Sequence, residues 1–315
     1  MVLFNVTQLQ KEFKSAELIQ PTVLTVGVFD GVHLGHQALL KETVRQAVVL
    51  GLASAAVTFI GHPRLVLGKH RELPHLTSIK QRLNLIKAIG IKHVVCLTFS
   101  EELAALSAEQ FTDLLVSHLS MRRLVIGPDF TLGRDRSGNA AILKDIGARK
   151  GFSLTVVEPE QIDNAKISST LIRKAMTQSD MERVHQLLGR CFSLEGRVIT
   201  GEGRGMGLGI PTANLEIAAD QALPADGVYA TRALIAGQYW PAITNIGTRP
   251  TFGGGKRSVE THIFDFNTQV YDDILEIAII KQIRPEIKFD SVDSLKKQIE
   301  GDILRARTIL AKAEC

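Results

Sequence analysis

The run Thr22-Val23-Leu24-Thr25-Val26-Gly27-Val28-Phe29-Asp30-Gly31-Val32-His33-Leu34-Gly35-His36 decides how the first half of the chain folds. Residues 22–28 are a short stretch rich in β-branched side chains, and Phe29-Asp30-Gly31 is a turn signal. A helical apolar pattern then runs from Leu34 to Leu50. The same alternation continues downstream. Strand patterns at 53–59, 92–99, 123–127 and 153–159 are separated by helical patterns at 77–89, 107–119 and near 140–150, with Thr77 or Ser78 as an N-cap of the first. Strand and helix in strict alternation predict an α/β, Rossmann-like domain with a parallel sheet and helices on both faces. Such strands are buried on both sides, which accounts for their continuous apolar runs.

Near residue 185 the character changes. Glycines crowd residues 196–215, and turn-separated strand candidates follow at 227–235, 238–247, 258–266 and 274–283. This pattern predicts a small antiparallel barrel. The last stretch, 291–313, reads as a helix with Leu295, Ile299, Ile303 and Leu304 on one face, the apolar face of an amphipathic helix. A helix near 179–188 marks the junction, so two domains are expected, 1–186 and 187–315. The 315-residue length is long for one core and agrees with two.

Hydrophobic residues make up 45% and charged residues 22%, enough apolar material for two cores. The formal charge of +4 suits an anionic small molecule, and aromatic residues, at 5%, offer few stacking platforms for single-stranded nucleic acid. No nucleic-acid partner is expected. Cys96, Cys191 and Cys315 are odd in number and not at metal-ligand spacing, so free thiols in a reducing cytoplasm are expected. The first residues lack a charged start followed by an apolar stretch, and no apolar run reaches roughly 18 residues, so no membrane association is expected.

The 27–36 segment also carries chemistry. It lies where a strand meets a helix, where backbone N–H groups face a ligand phosphate. His33 and His36 are three apart and share a helical face, so both imidazoles can donate to a phosphate that gains charge as it is attacked. A bare H-x-x-H is ordinarily a pair of surface histidines; the glycine and aspartate framing makes this one specific. Zinc is disfavoured because no third ligand is evident. Ser168-Ser169-Thr170, with Arg173 a turn later, could hold further phosphates or be a plain N-cap. Gly127-Pro128-Asp129-Phe130-Thr131-Leu132-Gly133-Arg134 is a loop after a strand, weak alone. No G-x-x-x-x-G-K-[ST] phosphate loop and no G-x-G-x-x-G occur.

In the second half, Gly201-Glu202-Gly203-Arg204-Gly205-Met206-Gly207-Leu208-Gly209-Ile210-Pro211-Thr212-Ala213-Asn214 is a glycine-rich loop able to wrap phosphates with backbone N–H groups. Thr212 and Asn214 offer hard oxygen ligands that suit Mg²⁺. Glu260, in Ser258-Val259-Glu260-Thr261-His262, is a lone carboxylate in a strand pattern. It could accept a proton from an alcohol in phosphoryl transfer or be a solvated strand residue.

These motifs, in order, resemble bacterial bifunctional riboflavin kinase/FMN adenylyltransferases over roughly residues 20–310. The first half is similar in its G-x-F-D-G-x-H-x-G-H, in Thr58-Phe59-Ile60-Gly61-His62-Pro63, in the 127–134 loop and in Ile167-Ser168-Ser169-Thr170-Leu171-Ile172-Arg173. The second half is similar in L-G-x-P-T-A-N, in Asp226-Gly227-Val228-Tyr229, in Asn245-Ile246-Gly247-Thr248-Arg249-Pro250-Thr251-Phe252 and in V-E-x-H-I. The resemblance implies an N-terminal nucleotidyltransferase domain and a six-stranded barrel with a terminal helix. It implies two ATP- and Mg²⁺-dependent reactions, riboflavin to FMN and FMN to FAD with pyrophosphate release. His33 and His36 would stabilise the α-phosphate, and Glu260 would be the base toward the ribityl 5′-hydroxyl. Gly27, Phe29, Asp30, Gly35, Ser168, Ser169 and Arg173 would bind ATP in the first half, and Gly203, Gly209, Thr212 and Asn214 in the second. Thr212 and Asn214 would also bind the metal. Asp129, Phe130, Asn245 and Thr248 would contact flavin. Met206, Ile210 and Tyr271-Asp272 depart from the usual kinase residues, which keeps open an adenylyltransferase with a weakened kinase half. A non-catalytic flavin-binding regulator is the other alternative.

Overall fold

The computed structural model describes residues 7–61, 68, 74–201, 209–248 and 257–313. The chain divides into two compact units. One holds the described residues of 1–73 and 79–167, the other those of 74–78 and 168–315.

The first unit is the expected α/β sandwich. In chain order it comprises α1 (Gln8–Ser15), β1 (Thr22–Val26), α2 (Leu34–Leu50), β2 (Ala53–Ile60), α3 (Ile79–Ala88), β3 (His93–Thr98), α4 (Glu101–Ala105), α5 (Ala108–Leu119), β4 (Met121–Ile126), α6 (Ala140–Lys150), β5 (Ser153–Val156) and a hairpin of β6 (Gln161–Ile162) and β7 (Ala165–Lys166). The five long strands are parallel, in the order β3-β2-β1-β4-β5. Chain progression reverses between β1 and β4, and the crevice at the carboxyl ends of those strands is where such sheets bind ligands. One sheet face packs Leu24, Val26, Val57, Leu97 and Ile126 against Phe13, Phe111, Leu115 and Leu143. The other packs Ala56 against Leu40 and Ile86, and Val23 and Val125 against Ala47. Both faces are therefore covered, and β1 is buried at all five positions. α2 matches its expected span because each end is specified locally. The His33 imidazole caps its start, and Gly51 ends it in the left-handed conformation at φ 66°.

The second unit contains α7 (Ser169–Thr177), α8 (Met181–Leu188), β8 (Phe192–Ile199), β9 (Ala213–Glu216), β10 (Gly227–Ile235), β11 (Gln238–Thr248), β12 (Arg257–Ile263), β13 (Ile274–Pro285) and α9 (Val292–Leu310). The six strands close into a barrel in the order β10-β11-β12-β9-β8-β13. Side chains alternate between its faces. Thr231, Thr244 and Thr261 are fully buried and linked hydroxyl to hydroxyl at 2.8 and 2.9 Å across β10, β11 and β12. On the alternate face, Val228, Ala230, Ile243 and Ala278 pack against Ala306 and Leu310 of α9. One expectation fails here. Leu304 is 68% exposed, and the inward positions of α9 are Asp302, Ala306 and Leu310. Asp302 is admitted to that face because Arg284 on β13 pairs with it at 2.8 Å.

Cys96 is a free thiol, as expected, but Cys191 is disulfide-bonded, contrary to the expectation of three free thiols. Among the described residues no helix is long and apolar enough to cross a membrane.

Candidate active sites

The first site is built by the turn from β1 into α2. Gly27 donates from its nitrogen to the Val57 carbonyl at 3.0 Å, so the turn starts from a position fixed on β2. A Cβ at Gly27 would stand 2.9 Å from the Phe29 ring, so only glycine lets that ring fold back. Phe29, Gly31 and Val32 then take left-handed backbone angles of 50°, 81° and 41°. The turn ends at His33, whose Nδ1 accepts from the His36 nitrogen at 3.3 Å. The two imidazoles stack 3.6 Å apart and 18° from parallel, and Phe29 meets His36 edge-on at 5.3 Å. Both expected histidines thus stand together at the first turn of α2.

Burial, with His33 and Arg82 nearby, pushes His36 well below the ordinary histidine range, so its ring is neutral near pH 7. Its Nδ1 is sealed from solvent and has no hydrogen-bond partner among the described residues. A buried polar atom left without a partner in this way is unusual.

Phe29 and Asp30, both expected to bind ATP, carry their side chains inside the turn. Phe29 is 1% exposed within the cluster around Leu40 and Ile86, and Asp30 is 2% exposed. Their side chains pack within the turn. Asp30 faces Arg82 on α3, fully buried, with Nη2 at 3.6 Å from Oδ1. Arg82 was not among the expected site residues. Its only signal in the sequence is an arginine at a position that shares the apolar face of α3 with Ile86. Gly35 lies behind the imidazoles; a Cβ there would come within 3.3 Å of the His33 ring.

Asp129 and Phe130 lie on the loop after β4. Phe130 is half-buried against the sheet core, while Asp129 is exposed and pairs with Lys166 on β7, which holds its carboxyl below the usual range. The loop is pinned by the Leu132–Gly138 backbone pair and by Arg134 N donating to Leu106 O at 2.7 Å. Ser168, Ser169 and Arg173 belong to the second unit. Ser168 caps α7, its Oγ accepting from Leu171 N at 3.2 Å, and Ser169 opens that helix. The Arg173 Nε donates to the Pro74 carbonyl at 2.7 Å.

The second site is set by strand register. Asn214 on β9 is opposite Glu260 on β12, and Glu260 is opposite Asn245 on β11. Directly opposed residues point to one side, so these three expected residues form a row. Asn245 in turn pairs with Val228, which faces α9, so the row lies on the barrel exterior. Asn214 is 8% exposed and rests on Gly201, where any Cβ would collide with the Asn214 amide. The His262 Nδ1 approaches the Pro211 carbonyl at 2.8 Å and ties β12 to the segment leading into Thr212. Thr212 is half-buried, and Gly209 has φ 75° in open space. Thr248 is exposed and donates to Asp226 at 3.2 Å, while Arg257 Nε donates to the same carboxylate at 2.7 Å. Gly203 lies outside the described residues. Among the described residues no group of three or more His, Cys, Asp or Glu could hold a metal. A hydroxyl and an amide oxygen two residues apart instead suit a cation that arrives with nucleotide phosphates.

Family models match each half, FAD synthetase over residues 15–171 and riboflavin kinase over 188–310. Curated relatives described as bifunctional riboflavin kinase/FMN adenylyltransferase span nearly the full length. That of Pseudomonas fluorescens is 37% identical, with 92% of this chain and 93% of the relative covered. That of Escherichia coli K12 is 36% identical, covering 90% and 91%. That of Bacillus subtilis is 37% identical, covering 89% and 90%. A solved structure described as a macrolide-efflux protein from Streptococcus pneumoniae superposes with a TM-score of 0.87 at 32% identity, covering 94% of this chain and 96% of that one.

Proposed function

The chain belongs to the bifunctional riboflavin kinase/FMN adenylyltransferases, and from that membership we propose how its own residues carry the two reactions of flavin cofactor synthesis. The observation that carries the proposal is the presence of two separate constellations, the His33–His36 stack in one unit and the Asn214–Glu260–Asn245 row in the other.

In adenylyl transfer, a phosphate oxygen of FMN attacks the α-phosphorus of ATP and pyrophosphate leaves. The charge that develops on the α-phosphate oxygens is met by His33, His36 and the backbone N–H groups opening α2. A neutral His36 can donate one hydrogen bond there. Gly27, Phe29, Asp30 and Gly35 shape this pocket. Ser168, Ser169 and Arg173 bind the departing phosphates, and Asp129 and Phe130 meet the flavin.

In phosphorylation, the ribityl 5′-hydroxyl of riboflavin attacks the γ-phosphorus of a second ATP and ADP leaves. Glu260 takes the hydroxyl proton. Asn245 and Thr248 orient the flavin, and Gly203 and Gly209 serve the phosphates. Thr212 and Asn214 would hold Mg²⁺, which neutralises phosphate charge when bound. The functional boundary is placed at 186/187, with cytoplasmic location and no nucleic-acid or membrane partner.

The test supplies the purified chain with riboflavin or FMN, ATP and Mg²⁺, and separates the flavins by chromatography. Glu260→Ala is expected to abolish FMN formation and spare FMN-to-FAD conversion; His36→Ala is expected to do the reverse. Loss of both steps in either folded variant would refute the two-site assignment. FAD formed only from supplied FMN by the wild type would identify a weakened kinase half, and turnover of neither flavin a non-catalytic binder.

A further inference from the structure

Arg82 is a fully buried cation beside the first site, and neither proposed reaction uses it. Its Nη1 donates to the Phe59 carbonyl at the end of β2 at 3.0 Å, and its Nη2 lies 3.6 Å from Asp30 Oδ1. Withdrawing a guanidinium and a carboxylate from water is often less favourable than packing apolar side chains into the same volume. Stability alone therefore gives a poor account of the pair.

Its geometry gives a better one. Asp30 sits inside the turn where Phe29, Gly31 and Val32 all hold left-handed angles. Glycine accepts that region freely, whereas a bulky aromatic and a β-branched valine resist it. Such a turn persists only where its surroundings hold it. Arg82 bridges the middle of the turn and the carboxyl end of the neighbouring strand, so α3 locks the turn from the side. The turn's exit is His33, and the turn's Phe29 ring abuts His36.

We propose that Arg82 is a positioning residue for adenylyl transfer: by clamping Asp30 to the end of β2, it holds the left-handed turn that sets His33 and His36 against the α-phosphate. The proposal rests on the adenylyl-transfer reading of this site. Arg82 acts through the turn, so its loss misplaces donors needed in the transition state more than it weakens ground-state binding. Its positive charge also helps keep His36 neutral.

The experiment measures kcat and KM for FMN adenylylation in the full chain carrying Arg82→Met or Arg82→Lys, with the circular-dichroism spectrum and urea melt of the same preparation as the folding control and riboflavin phosphorylation as the control reaction. Arg82→Met is expected to lower kcat about 100-fold, with KM for ATP and FMN within about threefold and phosphorylation at the wild-type rate. Arg82→Lys restores the charge but not the reach of the guanidinium to both Phe59 and Asp30, and is expected to recover to about 10-fold below wild type. A folded Arg82→Met protein with wild-type kcat, or with a raised KM alone, overturns the proposal. Should Arg82→Met not accumulate as folded protein, Arg82→Lys decides: wild-type kcat in that variant overturns the two-pronged clamp. A wild-type chain that makes no FAD from FMN overturns the adenylylation reading itself, an outcome distinct from an active wild type indifferent to Arg82.

Discussion

Gly201 has no room for a side chain, because its α-carbon lies against the Asn214 amide. Gly201→Ala is therefore expected to push Asn214 out of line with Glu260. Overpacking of this kind costs about 1–3 kcal/mol; if that cost falls on the placement of Asn214 in the transition state, riboflavin phosphorylation drops by about 5- to 160-fold, with FMN adenylylation unchanged. Unchanged phosphorylation kinetics would show that Asn214 does not need its present place. His36 makes a second residue-scale prediction, in pH dependence. Its folded-state pKa lies well below its unfolded value, so below pH of about 6.5 the unfolded chain gains a proton that the folded chain does not. Stability then falls on acidification by about 1.4 kcal/mol per pH unit from this site, until the folded-state pKa is reached, and is unaffected above pH 7. Urea unfolding from pH 4.5 to 7.5 (on the order of the histidine range) should show a shallower acid limb for His36→Gln than for wild type. Parallel curves would contradict the buried neutral imidazole. The histidine pair was legible because its glycine and aspartate framing is local. Arg82 was not, because its partners, Phe59 and Asp30, are 23 and 52 positions away and meet it only across the sheet.

At the scale of elements, α9 shows how a helical pattern can be read correctly and its face misplaced. Leu304 looks like an inward residue from its neighbours Ile299 and Ile303, yet it points to solvent while a carboxylate is buried. The Asp302 carboxylate accepts from Arg284 Nε at 2.8 Å and from Gln298 Nε2 at 2.8 Å. Asp302→Ala is expected to cost about 3 kcal/mol in unfolding free energy, because it strands the Arg284 guanidinium. Leu304→Ala is expected to stay within about 0.5 kcal/mol. Equal effects in denaturant melts would reverse this assignment of the helix face. The helix α1 went unread in the sequence for a different reason. It is one short amphipathic piece with only Leu9 and Phe13 buried, although Thr7 and Gln10 form a capping box at its start. Its Glu12 reaches Thr98 at the end of β3, a contact between segments 86 residues apart that no local pattern announces.

At the scale of the whole molecule, the two units have separate cores, and the histidine stack and the Glu260 row belong to different units. Two inactive variants should therefore complement each other in solution. Glu260→Ala alone should make no FAD from riboflavin, and His36→Ala alone should stop at FMN. Their mixture should yield FAD, and the absence of FAD from the mixture would mean that the steps require one chain. The sequence by itself determined the parallel α/β unit, the closed barrel and the family, because each depends on short-range signals: hydrophobic period, turn residues, and motifs whose members lie within one turn or one loop. Only the tertiary structure decided that Asn214, Glu260 and Asn245 form one row, because strand register is a pairing between distant segments. It also decided that Phe29 and Asp30 turn inward and that an arginine from α3 supports the histidine turn. Burial and long-range charge pairing exist only once the chain has closed on itself, and they separate the residues that can meet a ligand from those that hold them in place.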